Sequence, residues 1–470
     1  KGYGLLHEIR DQTGFVAGLT KWNRCVESPH AIAPALDEAF AQLNRGRPRP
    51  VGVEIPHDYL AASLDAAHRP AAPAEQSGER GALACHRPPA AAPRDPSDAS
   101  GIDASALAAA AALLNAARLP VIYVGGGIFA NDGCAALQAL AERIGAPVVM
   151  SDNGRGALSD RHPLAMNSLA GRAVFQHADV VLVVGSRFMD ALLPAASWPA
   201  QGTRFVYVNI DAADLGPPRA PEVAIVADAA AALPLLAERL HARQALAAAD
   251  AVRVKDWARQ QIDAVMPQAA YVAELRTAMP DDAIFVNELT QVGYLARIAF
   301  PVYQPRSYVG PGYQGTLGYG FPLALGAAVG GGGRRVLSIT GDGGFGWNLQ
   351  ELATARRYRL PVTLVVFNDG HYGNVRAIQR REFGAEVAVD LTNPEFGLLA
   401  QAFGVAFEQV DTPQALGAAV KASLAHDGPV LIEVKVGVMP SPWHLLRLQP
   451  MKGMGAGPAA PANPLDGVYA

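Results

Sequence analysis

SITGDGGFGW, residues 338–347, places an aspartate between glycines directly after an apolar, strand-like run. Gly341, Gly343 and Gly346 also match G-x-G-x-x-G, the dinucleotide-binding fingerprint that follows a strand and opens a helix. Such a turn binds phosphate through backbone N–H groups, and a bare carboxylate in its middle would repel the anion. Asp342 therefore favours a site for a divalent cation such as Mg²⁺, which bridges carboxylate and phosphate oxygens.

A second oxygen ligand is expected close to Asp342, and PVTLVVFNDGHYGNVR, residues 361–376, supplies one. A stretch of helix-forming composition precedes it and ends at Pro361, and the apolar run 362–367 is typical of a buried strand. A strand, a crossover helix and a parallel strand return the chain to the same carboxyl edge of a sheet, where open α/β sheets bind ligands. The spacing of Asp342 and Asp369 fits one such unit.

This pattern resembles the cofactor motif of thiamine diphosphate enzymes, in which G-D-G, a helix and a strand are usually followed by Asn-Asn rather than Asn368-Asp369. The resemblance implies that Asp342 and Asp369 bind Mg²⁺ through their side chains and His371 through its backbone carbonyl. The alternative is a solvated turn after a strand. The resemblance also implies cofactor contacts from the two loops, at Gly341, Gly343, Gly344, Tyr372, Gly373 and Asn374.

GYQGTLGYGFPLALGAAVG, residues 312–330, is similar to the glycine-rich helix start that lies against the aminopyrimidine ring in acetolactate synthases. The resemblance implies that the Gly315 carbonyl accepts a hydrogen bond from the ring amino group and that Leu317 bends the cofactor. A glycine-rich face for helix packing is the alternative for this segment taken alone. Farther upstream, Thr290 and Gln291 occupy positions where the family contacts the diphosphate.

The middle of the chain contains short apolar strands separated by Ala-rich helical stretches, which predicts a further parallel sheet. It is similar to the family's central domain, which can hold FAD in acetolactate synthases. Residues 125–127, Arg187 and Asp211 lie at comparable strand ends. The usual Met-His-Gly segment is missing, and RFMDA lacks the expected second acid and arginine. FAD is therefore possible but not expected to bind tightly, and a nucleotide-like fold kept for architecture is preferred.

The first residues resemble the closing half of the family's pyrimidine-binding domain. Because the sequence starts at Lys1, the glutamate that protonates the cofactor ring is expected to lie outside it, and Glu8 is not assumed to replace that glutamate. His7 falls near the substrate in the family's pattern and is a candidate catalytic group because histidine titrates near neutral pH. A structural histidine is the alternative.

The resemblance implies a reaction on a 2-oxo acid, in which the cofactor ring takes up the electrons released as CO₂ leaves. The product is then an aldehyde, by decarboxylation, or a carboligation product, as in acetolactate synthases. Ile378 stands where those enzymes carry a tryptophan that selects the second substrate. Alternatives are a C–C bond lyase, a catalytically inactive homologue and, from the G-x-G-x-x-G match, a nicotinamide or flavin oxidoreductase.

Composition is that of an ordinary enzyme, with net charge −4 and half of the residues apolar. No basic face favours nucleic acid, no apolar run is long enough for a membrane span, and three cysteines without a C-x-x-C pair indicate neither a disulfide framework nor zinc. These features predict a cytoplasmic location, and the resemblance implies a homodimer or homotetramer with sites shared between subunits.

The implied fold class is α/β, with the three-domain architecture of thiamine diphosphate enzymes, parallel sheets flanked by helices and an incomplete first domain. Shifts in composition set the expected boundaries. These are 1–65 for the closing half of the pyrimidine-binding domain, 66–100 for a Pro- and Ala-rich linker, 101–245 for a central Rossmann-like domain, 246–268 for a linker helix, 269–440 for the diphosphate-binding domain and 441–470 for a C-terminal tail.

Overall fold

The computed structural model describes residues 9, 11–63, 101–188, 202–216, 220–312, 314–446 and 461–469. The chain divides into two compact units, residues 1–81 and residues 82–470. That division falls in the predicted linker 66–100, which lies outside the described residues, and the predicted domain boundaries stay predictions. Within the described ranges, no helix is both long and apolar enough to cross a membrane.

The first unit contains two short parallel strands with helices before and between them. Asp11 caps the first helix by accepting a hydrogen bond from the Gly14 N–H at 2.8 Å. The strands pair in register from Trp22 with Val51 to Cys25 with Glu54. The elements are α1 (Gln12–Ala17), β1 (Trp22–Cys25), α2 (Ile32–Asn44) and β2 (Val51–Glu54).

The second unit begins with a six-stranded sheet in the order β5-β4-β3-β6-β7-β8, in which all neighbours are parallel. Its central strands are uninterrupted apolar runs, as expected where helices cover both faces. The elements are α3 (Ala104–Ala116), β3 (Pro120–Val124), α4 (Cys134–Ile144), β4 (Val148–Met150), β5 (Ala165–Met166), α5 (Ser168–Phe175), β6 (Val180–Val184), β7 (Arg204–Asn209), β8 (Val223–Val226) and α6 (Ala229–Ala237).

Two helices, α7 (Ala248–Asp263) and α8 (Gln268–Ala278), lead into a second six-stranded parallel sheet with the order β10-β9-β11-β12-β14-β13. Its elements are β9 (Ile284–Asn287), α9 (Gln291–Ala299), β10 (Tyr308–Val309), α10 (Gly320–Gly330), β11 (Val336–Gly341), α11 (Asp342–Phe345), α12 (Leu352–Arg357), β12 (Val362–Asn368), α13 (Gly373–Phe383), α14 (Phe396–Phe403), β13 (Ala406–Val410), α15 (Pro413–Ser423), β14 (Val430–Lys435) and α16 (Trp443–Leu446).

Alternate residues of these strands pack on opposite faces of the second sheet. Leu337 and Ile339 of β11 belong to the core cluster that contains Phe285, whereas Val336 belongs to the cluster that contains Phe321. This alternation follows from the two-residue period of a strand. Both faces of the sheet therefore pack against an apolar core.

Strand order creates a crevice between β9 and β11. The chain leaves β9 through α9 towards β10 on one side, and leaves β11 towards β12 on the other side. Neighbouring strands whose connections diverge in this way form a topological switch point, where open α/β sheets bind ligands. Gly341 pairs with Phe367, so the carboxyl ends of β11 and β12 meet as predicted.

Candidate cofactor site

A cavity of about 290 Å³ lies at this switch point. It brings together every residue that the sequence predicted to contact the cofactor, although their binding roles stay predictions. The lining consists of Leu289, Thr290, Gln291, Tyr294, Gly315, Leu317, Gly341, Asp342, Gly343, Gly344, Phe367, Asp369, His371, Tyr372, Gly373, Asn374, Val375, Val436 and Met439.

Two carboxylates form the polar floor of the cavity. Asp342 accepts hydrogen bonds on Oδ2 from the Gly370 N–H at 3.0 Å and from the Asn393 side chain at 2.7 Å. Burial raises the pKa of Asp342, and the charge of Asp369 raises it further. Burial likewise raises the pKa of Asp369. A cation between the two groups would relieve both effects, which fits the predicted metal site.

Asp342 and Asp369 are the two carboxylates in the lining that could bind such a cation. In the described ranges, no cluster of three or more His, Cys, Asp or Glu side chains could hold a metal ion. Two carboxylates alone leave coordination positions for phosphate oxygens and water, which is how Mg²⁺ is commonly held. The donor set therefore fits a metal that arrives with a phosphorylated ligand.

Two helices, α9 and α13, begin at the cavity wall. The residues that precede α9 and α13 are Thr290 and Tyr372, and neither makes a side-chain capping hydrogen bond. The first N–H groups of a helix lack partners inside the helix, and they are a ready site for an anion. The polar end of the cavity thus suits a diphosphate.

Close packing explains two glycines of the cavity wall, Gly343 in α11 and Gly373 at the start of α13. A Cβ at Gly343 would lie 2.7 Å from the Tyr372 ring. A Cβ at Gly373 would lie 2.5 Å from Oδ2 of Asp369 and 3.1 Å from Nε2 of Gln291. Side chains at these positions would displace the very groups that line the cavity, so the loops depend on glycine here.

The other end of the cavity is apolar. Gly315 has φ +59°, a left-handed conformation that favours glycine, and Leu317 nearby is 42% exposed. Leu289, Val436 and Met439 complete this wall. One end of the cavity suits an anion and the other end is apolar. Such a cavity fits a molecule that joins a diphosphate to aromatic rings. The residues present therefore fit thiamine diphosphate.

Several contacts around the cavity were not predicted from the sequence. The Trp443 indole donates a hydrogen bond to the Asn374 side chain at 3.0 Å, and its ring centroid lies 4.8 Å from that of Tyr294. Glu288 and Asn393 lie behind the lining. No motif marks these residues; the one available signal is a glutamate, Glu288, at the end of an apolar strand, where a buried acid needs partners.

Three other predictions have different outcomes. His7 lies outside the described residues. Ile378 is half-buried on α13 and does not line the cavity. At the central sheet, a Cβ at Gly125 would lie 2.5 Å from the Gly185 carbonyl oxygen, so this glycine serves the close approach of two loops. Weak or absent FAD binding stays a prediction.

Fold and site together define a class: an open parallel α/β protein whose cavity at the switch point is lined by two carboxylates and by the starts of two helices. Two family patterns match the chain: "Thiamine pyrophosphate enzyme, central domain" over residues 107–236, and "Thiamine pyrophosphate enzyme, C-terminal TPP binding domain" over residues 290–434. Thiamine pyrophosphate is another name for thiamine diphosphate.

Two known relatives support the same family assignment. The "Probable 2-ketoarginine decarboxylase AruI" of Pseudomonas aeruginosa is 34% identical, over 93% of this chain and 75% of the relative. The "Acetolactate synthase large subunit" of Corynebacterium glutamicum is 30% identical, over 95% of this chain and 72% of the relative. The chain belongs to the thiamine pyrophosphate enzyme family, in its acetolactate synthase and decarboxylase group, as predicted.

A solved structure shares the fold. A putative thiamin diphosphate-dependent enzyme from Mycobacterium smegmatis superposes with a TM-score of 0.70 at 24% identity, over 91% of this chain and 78% of that one. The predicted α/β architecture with parallel sheets flanked by helices is confirmed.

Proposed function

We propose that this protein is a Mg²⁺-dependent thiamine diphosphate enzyme that releases CO₂ from a 2-oxo acid and frees the remaining acyl group as an aldehyde or joins it to a second carbonyl compound. The observation that carries the proposal is the pairing of Asp342 and Asp369 at adjacent strand ends, beside the uncapped starts of α9 and α13. That arrangement suits a cation bridged to a diphosphate.

Each part of the cavity has a role in the proposal. Asp342, Asp369 and the His371 carbonyl would hold Mg²⁺, and the loop amides, with Thr290 and Gln291, would bind the diphosphate. The Gly315 carbonyl would accept a hydrogen bond from the aminopyrimidine, and Leu317 would bend the cofactor. When bound, the cofactor supplies a carbon nucleophile and an electron sink for decarboxylation. The apolar wall, with Leu289, Val436 and Met439, would limit the access of water to that carbon.

The choice between decarboxylation and carboligation is part of the proposal too. One relative is named a 2-ketoarginine decarboxylase and another an acetolactate synthase, and both names imply a 2-oxo acid. Ile378, in place of the tryptophan of acetolactate synthases, supports a different acceptor or none. A homodimer or homotetramer with shared sites, a substrate role for His7 and a cytoplasmic location stay proposals by family resemblance.

Calorimetric titration tests the cofactor assignment. Asp342→Ala should abolish Mg²⁺-dependent binding of thiamine diphosphate, because one remaining carboxylate cannot offset the charge of the diphosphate. Asp256→Ala is the matched control, since Asp256 forms an ion pair with Arg259 within α7. Unchanged affinity in Asp342→Ala would overturn the assignment of the metal site.

Product analysis tests the reaction. The protein is incubated with a panel of 2-oxo acids, including pyruvate and a guanidino 2-oxo acid, and CO₂ and organic products are measured. We expect CO₂ release with a preference for an acid other than pyruvate. Strict preference for pyruvate with acetolactate as the only product would contradict the role assigned to Ile378.

A further inference from the structure

Glu288 is a buried acid that stands directly behind the cavity and has no place in the proposed chemistry. It follows the last residue of β9 and is 1% exposed. Its backbone N–H donates to the Ile339 carbonyl of β11 at 3.1 Å, which fixes the start of its side chain between the two strands. It does not line the cavity.

The carboxylate of Glu288 binds the segment that carries Gly315 and Leu317. Oε1 accepts a hydrogen bond from the Gly318 N–H, and Oε2 accepts one from the Gly320 N–H at 3.1 Å. Gly320 is the first residue of α10. Each carboxylate oxygen therefore binds a different backbone amide of this segment. The two bonds together fix the position of the segment along and across the sheet.

The same carboxylate also contacts the aspartate loop, residues 341–344, where the chain passes from β11 into α11. A Cβ at Gly344 would lie 2.5 Å from Oε1 of Glu288 and 2.8 Å from Oγ1 of Thr340. A Cβ at Gly320 would collide with Oε2. The carboxylate thus fills space that two glycines leave open, Gly320 at the start of α10 and Gly344 in the aspartate loop.

Two other hydrogen bonds hold the segment that carries Gly315 and Leu317. The Asn348 side chain donates to the Gly318 carbonyl at 2.5 Å, and the Tyr319 hydroxyl donates to the Asn287 carbonyl. None of these groups lines the cavity, whereas Gly315 and Leu317 do. The rear of the segment is therefore anchored, and Glu288 is the anchor that also contacts the aspartate loop.

We infer that Glu288 is a positioning residue, which sets the distance between the Gly315–Leu317 wall and the Asp342–Gly344 loop so that one ligand can span both. The inference rests on the proposed cofactor. Burial raises the pKa of this carboxyl group, and its hydrogen bonds oppose that rise. A buried acid is costly without such partners, so its presence indicates a specific structural task.

Two substitutions separate the effect of the Glu288 charge from the effect of its side-chain length. Glu288→Gln keeps the volume but presents an NH₂ group to one of the two backbone N–H donors. Glu288→Asp keeps the charge but is one methylene shorter and cannot reach both amides in the same geometry. The matched control is Glu274→Gln, because Glu274 of α8 packs against Gly417 in the same way, with a Cβ at Gly417 placed 2.5 Å from its Oε2, and does not line the cavity.

The experiment compares two ligands by calorimetry on the full chain with saturating Mg²⁺: thiamine diphosphate, which spans both segments, and inorganic pyrophosphate, which needs only the aspartate loop and helix starts. Loss of one buried charged hydrogen bond corresponds to about a tenfold loss of affinity. We expect that loss for thiamine diphosphate in Glu288→Gln and Glu288→Asp, with pyrophosphate affinity unchanged and Glu274→Gln like the parent.

Failure of the inference and failure of the proposed function give different results. If the parent protein binds neither ligand, the proposed cofactor is wrong, and the inference falls with it. If the parent binds both and the Glu288 variants bind thiamine diphosphate as tightly, the positioning role is wrong. Equal losses for both ligands would also overturn it, because Glu288 would then support the loop generally. Glu288→Gln is nearly isosteric, so folding is preserved, and circular dichroism verifies this.

Discussion

Asn393 joins the two strand ends that carry the predicted metal ligands. Its side-chain amide donates to Oδ2 of Asp342 at 2.7 Å and to Oδ1 of Asn368 at 3.1 Å. Asn368 in turn donates to Glu433 at 2.6 Å, and Glu433 pairs with Lys435 at 2.6 Å. Orientation of the Asp342 carboxylate therefore depends on a polar network that runs through the buried side chains of Asn368 and Glu433.

Asn393→Ala should lower the affinity for Mg²⁺ in cofactor binding by about 10–100-fold, so a higher Mg²⁺ concentration is needed. This is the usual cost of losing a partner that orients a metal ligand. The measurement is a Mg²⁺ titration at fixed thiamine diphosphate concentration. Asn115→Ala is the control, because the Asn115 side chain of α3 donates to the Arg239 carbonyl just after α6, away from the cavity. An Asn393 variant with the parent's Mg²⁺ requirement would show that the bond to Asp342 does not orient it.

Residue chemistry accounts for what the sequence revealed at this scale. Asp342 and Asp369 were predictable because a carboxylate in a glycine turn after an apolar strand has few structural uses. Asn393 and Glu288 were not, since their roles come from partners 51 and 30 residues away that only the folded chain brings near. Nothing in the local pattern around either residue specifies those partners.

Helix α13 begins at a glycine because its first turn is pressed against the second carboxylate. Gly373→Ala should push Oδ2 of Asp369 aside, since the new Cβ would lie 2.5 Å from it. We expect Mg²⁺-dependent cofactor affinity to fall by about tenfold or more, with little change in thermal stability because alanine favours helix. Calorimetry and a thermal melt measure the two effects.

Gly326→Ala provides the matched control for that change. Gly326 lies within α10, and a Cβ there would meet nothing within 4 Å. This variant should bind the cofactor normally and melt at the same or a slightly higher temperature. If Gly373→Ala behaves like Gly326→Ala, the close approach of α13 to Asp369 is unimportant for the site.

The short helix α16 carries a pH-sensitive group. Burial lowers the pKa of His444 from its ordinary value of 6.5, and the charge of Arg172 lowers it further, while a backbone hydrogen bond to Ser441 opposes both effects. The folded chain thus binds this proton less tightly than the unfolded chain does. The free energy of unfolding should therefore fall as pH drops below 6.5.

His444→Gln should remove part of this acid sensitivity. The measurement is the free energy of unfolding in urea at about pH 8 and about pH 5.5, since the histidine is neutral in both states at the higher value. The change in the free energy of unfolding between these two pH values should be smaller in the variant than in the parent. An equal difference would mean that His444 does not contribute to it.

Strand length decided which elements could be predicted. The apolar runs that became β3, β4, β6, β7 and β12 were recognised because parallel strands covered on both faces are continuously apolar. The two-residue edge strands β5 and β10 were missed. Two residues provide no periodicity, and edge pairing depends on a neighbour rather than on local sequence.

At the scale of the whole second unit, Arg155 ties the central sheet to the helix that begins at the cavity. It is 3% exposed. Its guanidinium donates to the Arg297 carbonyl at 2.6 Å and the Phe300 carbonyl at 2.5 Å, at the end of α9, and pairs with Asp160 at 2.9 Å. Arg297 forms a second buried ion pair with Asp152. Sequence patterns identify each sheet, but they contain no signal for this junction.

Arg155→Ala should destabilise the protein by on the order of 3–5 kcal/mol, because it leaves Asp160 without its cation and two carbonyls at the end of α9 without a donor. Cofactor affinity should fall as well, since α9 starts at Thr290 and Gln291 in the cavity. Urea unfolding and calorimetry on the same preparations measure both losses.

Arg259→Ala isolates the effect of burial in that comparison, because Arg259 pairs with Asp256 on an exposed face of α7, where the arginine side chain is 68% accessible. Exposed pairs of this kind contribute little, so this variant should unfold like the parent. If Arg155→Ala is no less stable than Arg259→Ala, the two sheets are held together by their apolar contacts alone. If Arg155→Ala loses stability but binds the cofactor normally, the junction stabilises the fold without positioning the start of α9.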